Sequence, residues 1–161
     1  AQKVGADGKV IGVDMTPDML SLARKNAAKL RATNVEFRLG EIEHVPVESE
    51  SVDIIISNCV INLSPDKDAV FREAYRALRP GGRMCVSDIV LTGELPREVS
   101  ESLEEWASCV AGALPKDSYL GKVRDAGFGE VEVLEEKSYG YGDSGAETAS
   151  ITVKAIKPTR A

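Results

Sequence analysis

The residues best able to do chemistry are three cysteines, Cys59, Cys85 and Cys109, and several carboxylates that follow apolar runs. Cys59 stands in "SNCVINL" (57–63), directly behind the apolar "VDIIISN" (52–58). A free cysteine is an ordinary small core residue. A cysteine at the carboxyl end of a strand, though, lies where open α/β sheets bind their ligands. Cys85, between Met84 and Val86, reads as a packed core thiol. Cys109 follows Trp106 by one helical turn, so the same helix face suits a core as well as a ligand site. No pair has C-x-x-C spacing, which argues against a zinc ribbon. An odd, sparse set of thiols fits a reducing cytosol better than a disulfide framework.

Asp14 closes "KVIGVD" (9–14). An acidic side chain at that place in an α/β sheet can accept both hydroxyls of a ribose. The plainer reading is a cap on the following helix, a role Thr16 already suits. Met15 beside it packs either on an adenine face or on the core. "GEIEHVP" (40–46) leaves the next apolar run with Glu41 and Glu43. In isolation it is a solvated loop. At a strand end, either carboxylate can accept from an adenine amine, with a backbone N–H near Ile42 facing a ring nitrogen. The single histidine, His44, lies in this loop and reads as solvated.

These residues are positioned by an alternation of strand and helix. "KVIGVD" is a buried-strand pattern. Pro17 suits the first turn of the helix that follows, whose apolar face is Leu20, Ala23, Ala27 and Leu30. "VEFRLG" (35–40) is a second strand, and 52–58 a third, apolar enough to be covered on both faces. Ser64-Pro65-Asp66 opens a helix with Val70, Ala74, Tyr75 and Leu78 inward, and "RPGG" (79–82) stops it. A fourth strand is expected over 83–91, a helix near 97–111, a short helix near 117–126 and strands over 130–138 and 149–157. The order implies a parallel, doubly wound α/β sheet with an antiparallel strand late in the chain. Ligands would then gather at Asp14, Met15, 40–43, 57–59 and Asp88.

The 161 residues suffice for one domain, and no linker suggests a second. Twenty basic against 26 acidic residues give a net charge of -6, which argues against a nucleic-acid or membrane surface as main partner. No apolar run approaches the roughly 20 residues that span a bilayer, and no signal-peptide pattern appears.

"VIGVDMTPDMLSLARKNA" (10–27), "GEIEHVPVESESVDIIISN" (40–58) and "EAYRALRPGGRMCVSDI" (73–89) resemble the cofactor regions of class I S-adenosylmethionine-dependent methyltransferases. More narrowly, "SNCVINLSPDKDAVFREAYRALRPGG" (57–82) and "WASCVAGAL" (106–114) resemble arsenite methyltransferases. The resemblance implies a Rossmann-like fold, S-adenosyl-L-methionine as cofactor and a cytoplasmic enzyme of metalloid detoxification. It implies that Asp14 holds the ribose, that Met15, Ile42 and Glu43 meet the adenine, and that Asn58 lies near the cofactor's amino-acid end. Cys59 and Cys109 become the catalytic pair that binds trivalent arsenic. Arsenite or a thiol-conjugated arsenic would be the substrate and a thiol the reductant; the oligomeric state is left open.

The family's first strand and its Gly-rich loop should lie before residue 1. "AQKVGADGKV" (1–10) instead reads as a helix end and a turn. Residues 1–161 are therefore expected to be a single methyltransferase domain, N-terminally incomplete, without the family's additional N-terminal cysteines and inactive alone. Thiolates suit trivalent arsenic because both are soft. Arsenic's lone pair then attacks the sulfonium methyl with no proton to abstract, so no general base is obligatory. Two alternatives remain: a small-molecule C- or O-methyltransferase of the same fold, in which both cysteines merely pack, and a non-catalytic metalloid-binding module.

Overall fold

The computed structural model describes residues 1–93, 112–141 and 146–159. They fall into two compact units, Ala1–Val47 and Glu48–Ala161.

In the first unit, strand β1 (Val10–Asp14) leads through helix α1 (Pro17–Lys29) to strand β2 (Val35–Leu39). β1 and β2 pair in parallel from Val10↔Val35 to Asp14↔Leu39. A parallel pair needs a crossover of a dozen or more residues, and α1 provides it. Leu20 is buried and Ala23 and Ala27 are half-buried, as the apolar periodicity implies. Leu30 departs from it: at the helix terminus it is 79% exposed. Thr16 is the N-cap by position, but its side chain makes no capping bond. The Asp14 carboxylate accepts from the Thr16 amide instead, at 2.8 Å.

The second unit holds a sheet in the order β3-β4-β6-β5. Strand β3 (Val52–Asn58) runs parallel to β4 (Leu78–Leu91). Strand β6 (Ala146–Ile156) is antiparallel to both β4 and β5 (Glu130–Tyr141). Helix α2 (Lys67–Ala77) links β3 to β4, and helix α3 (Lys116–Asp125) precedes β5. Asp66 caps α2 by accepting from the Ala69 amide at 2.9 Å. The core of this unit is built from Phe71, Tyr119, Leu120 and Val123 of the helices and Met84, Val86, Val90, Ile151 and Val153 of the sheet, all buried. Phe71 and Tyr119 pack edge to face, with centroids 5.3 Å apart.

Three further expectations change. "RPGG" does not separate helix from strand: α2 ends at Ala77 and β4 starts at once, absorbing the Pro-Gly-Gly in an irregularity between Val52 and Ile54 of its partner. β3 is not covered on both faces among the described residues. Ile56 is 80% exposed, and among the described residues β3 pairs only with β4 and β1 only with β2. Cys85 is half-buried rather than buried, because it alternates out of phase with Met84 and Val86. The expected helix near 97–111, with Cys109, and the tip of the last hairpin lie outside the described residues.

Candidate active site

In the first unit, parallel register brings the two strand ends side by side. Gly40 N–H donates to the Asp14 carbonyl at 3.1 Å, so the loop after β2 starts where β1 ends. The loop then turns tightly, with His44 N–H donating to the Glu41 carbonyl at 3.1 Å. A Cβ at Gly40 would stand 2.6 Å from Pro46 Cδ, so only glycine permits this closure. The fold thus brings together Asp14, Met15, Glu41, Ile42 and Glu43. Met15 is 73% exposed, an apolar side chain with no core to fill. Ile42 and Glu43 are half-buried; Glu41 and His44 are exposed. The hollow reaching Asp14, walled by Gly12, Met19 and Phe37, is about 160 Å³. That is smaller than the roughly 300 Å³ at which small-molecule sites begin.

In the second unit, Asn58 and Cys59 close β3. Asn58 pairs with Ser87 of β4, and Cys59 N–H donates to the Ser87 carbonyl at 2.8 Å. Cys59 is exposed and has a φ of 53°. This left-handed conformation is uncommon for a side chain that cannot cap its own backbone. It swings the chain off the sheet into a 3-10 turn, Ile61–Leu63. Partial burial, with the nearby Asp88 charge adding to it, pushes the Cys59 thiol above its usual range.

The turn is fastened by polar groups inside the core. Asn62 is buried and donates through Nδ2 to the Ile89 carbonyl at 2.7 Å. The buried Lys67 ammonium donates to the carbonyls of Asn62, at 3.3 Å, and Ser64, at 3.0 Å. Burial holds its proton affinity below the lysine norm. Asp88 is 1% exposed, with Oδ2 accepting from the Tyr119 hydroxyl at 2.9 Å. Burial drives the Asp88 carboxyl up to about 6; the Tyr119 hydrogen bond, the Asn62 amide and the Lys67 charge oppose that without cancelling it. Burial and the same carboxylate push the Tyr119 hydroxyl well up.

Asp88 falls among the strand-end positions expected from sequence, but Asn62, Lys67 and Tyr119 do not. A signal for the cluster was present: a carboxylate at the phase of Met84, Val86 and Val90 is a polar group in a buried stripe. Among the described residues no group of three His, Cys, Asp or Glu side chains is arranged to hold a metal ion.

Residues 1–137 match a family model described as a methyltransferase domain. The chain is 49% identical over 168 residues to the arsenite methyltransferase of Halobacterium salinarum, covering 99% of this chain and 43% of that protein. It is 42% identical over 123 residues to the human arsenite methyltransferase, covering 71% of this chain and 33% of that protein. The chain spans less than half the length of these curated relatives. Among solved structures, an arsenic(III) S-adenosylmethionine methyltransferase from Chlamydomonas reinhardtii superposes with a TM-score of 0.86 at 39% identity, over 96% of this chain and 57% of that one. A phosphoethanolamine N-methyltransferase from Haemonchus contortus, bound to S-adenosyl-L-methionine, shares the fold at a TM-score of 0.75 and 18% identity, over 94% of this chain and 44% of that one.

Proposed function

The chain belongs to the methyltransferase domain family, and from that premise we propose that it is part of an arsenite methyltransferase. In this reading residues 1–161 form one methyltransferase domain, and a preceding segment completes its cofactor cradle. The enzyme acts on arsenite or a thiol-conjugated arsenic, with a thiol reductant, in the cytoplasm. No helix among the described residues is long and apolar enough to cross a membrane.

The observation that carries the reading is Cys59: an exposed thiol at the carboxyl end of β3, held in a left-handed conformation on the Ser87 carbonyl. Unusual backbone of this kind concentrates where a side chain must be presented. A thiol that binds arsenite passes its proton to a leaving hydroxyl, forming an As–S bond and water. A thiol held above its usual range is therefore no obstacle at neutral pH. Two thiolates, from Cys59 and Cys109, hold the soft arsenic centre and leave its lone pair available.

The donor set of the first unit suits the nucleoside half of S-adenosylmethionine. When bound, that cofactor supplies an electrophilic sulfonium methyl group. Asp14 would accept the ribose hydroxyls, Met15 would pack on adenine, and Glu41, Ile42 and Glu43 would meet the adenine edge. The hollow at Asp14 is too small to hold the cofactor alone, which agrees with a cradle completed by further chain.

Arsenite binding and methyl transfer in the complete enzyme test the reading. Cys59→Ser and Cys109→Ser should each abolish stoichiometric binding, since one thiolate does not hold the centre, and Cys85→Ser should retain it. If wild-type enzyme methylates a carbon or oxygen acceptor and ignores arsenite, the cysteines only pack. Binding without methyl transfer would leave a metalloid-binding module.

A further inference from the structure

Asp88 is a buried carboxylate of which one oxygen has no structural partner among the described residues. It belongs to the buried face of β4, 1% exposed, between Val86 and Val90. The Tyr119 hydroxyl donates to Oδ2 at 2.9 Å and the Asn62 backbone amide also donates to the carboxylate, while Oδ1 is buried and meets no hydrogen-bond partner among the described residues. A buried carboxylate normally has its lone pairs satisfied or a cation directly against it. Lys67, whose charge acts on Asp88, directs hydrogen bonds to the carbonyls of Asn62 and Ser64. One carboxylate oxygen is thus left without a donor in a buried surrounding, one residue along β4 from the carbonyl that fixes Cys59.

We propose that Asp88 is a buried counter-charge for arsenic held on Cys59, stabilising the positive charge that arsenic acquires during methyl transfer. The inference rests on the function proposed above. In that step the arsenic lone pair forms the As–C bond. The C–S bond breaks with its pair on sulfur, which becomes a neutral thioether, and the formal +1 charge moves to arsenic. No proton moves and no oxidant is needed. A fixed negative charge on arsenic's side of the transfer lowers the energy of the transition state relative to the ground state, in which arsenic is neutral. Partial burial first, and this same charge second, push the Cys59 thiol up. Above the Asp88 carboxyl's value of about 6 the charge is present. A role confined to structure would make Asp88 only the acceptor that anchors Tyr119 and the Asn62 amide.

Asp88→Asn keeps an acceptor for Tyr119 and removes the charge. In the complete enzyme at pH 8, kcat should fall at least about tenfold, a magnitude in keeping with the loss of one preorganised electrostatic partner. Arsenite affinity should stay within about twofold, because binding creates no charge on arsenic. Alkylation of Cys59 by iodoacetamide, followed on its own peptide by mass spectrometry, should accelerate because the opposing charge is gone. Tyr119→Phe removes the anchor and keeps the charge, so stability should drop while kcat falls less than about threefold. Unchanged Cys59 alkylation in Asp88→Asn overturns the proposal, as does unchanged kcat or an equal kcat loss in the two variants. Should Asp88→Asn fail to fold, a tenfold kcat loss in Tyr119→Phe overturns it, and retention supports it. If wild-type enzyme does not methylate arsenite, the proposed function fails, while the alkylation result still decides whether the Asp88 charge reaches Cys59.

Discussion

Cys59 gives the most direct test of the site's architecture. Its φ of 53° puts an L side chain in the left-handed region, where contact between Cβ and the following carbonyl costs about 1–2 kcal/mol. Glycine has no Cβ and adopts this conformation freely, at the expense of about 0.4–1 kcal/mol of extra unfolded-state entropy. Replacing the exposed side chain removes little packing, so two variants isolate the backbone term. Cys59→Ala keeps the strain and should change stability by no more than about 0.5 kcal/mol. Cys59→Gly relieves it and should exceed Cys59→Ala by up to about 1 kcal/mol, or roughly 2–4 °C in Tm for a protein of this size or somewhat larger. Denaturant melts of both variants measure the difference, and calorimetric titration with arsenite should find binding lost in each. A glycine variant more stable than wild type yet unable to bind would mean that the thiol is kept at the expense of the fold. If glycine proves no better than alanine, Cys59 is not held left-handed in solution, and the argument that this turn presents the thiol fails.

Asp14→Ala in the complete enzyme should weaken S-adenosylmethionine binding by roughly 1.5–3 kcal/mol, the worth of hydrogen bonds to a charged group; unchanged affinity by calorimetry would refute the ribose assignment. Lys157, buried, donates to the carbonyls of Tyr75 at 2.9 Å and Leu78 at 2.8 Å, where α2 gives way to β4. Lys157→Met should therefore destabilise by about 1–3 kcal/mol in urea melts, through carbonyls left without a donor. Asp88 makes stability depend on pH in the less usual direction. Its folded carboxyl, near 6, lies above the ordinary 3.8, so the folded state takes up its proton first, and stability should rise as pH falls from about 7 toward 4. Asp88→Asn should flatten that part of the profile, and a profile identical to wild type would show the group to be unperturbed.

How much of this was legible beforehand divides along local and long-range lines. Asp14, Asn58 and Cys59 could be placed at strand ends because "KVIGVD" and "VDIIISN" are runs whose composition fixes strand and terminus within a few residues. The tight loop at 40–46 was legible as a loop, but not that Gly40 must be glycine, since that depends on where Pro46 returns. Thr16 was the expected cap because residue type favours it; Asp14 took the amide because its carboxylate sits two residues ahead in an extended strand, within reach at 2.8 Å. "RPGG" was read as punctuation by its residue types. The pairing of β4 with β3 overrode them by accommodating the extra residues in the register shift after Val52. The left-handed turn at Cys59 was invisible, because asparagine and glycine are the residues that announce such a turn and neither stands at that position. Asp88 was half legible. Its phase along β4 marks a carboxylate in an apolar stripe, but Tyr119 lies 31 residues away on helix α3, and nothing in either local sequence pairs them. Strand-end chemistry is written in short runs of residues. The groups that hold it in place, Asn62, Lys67 and Tyr119 around Asp88, become a set only once helix and sheet have packed.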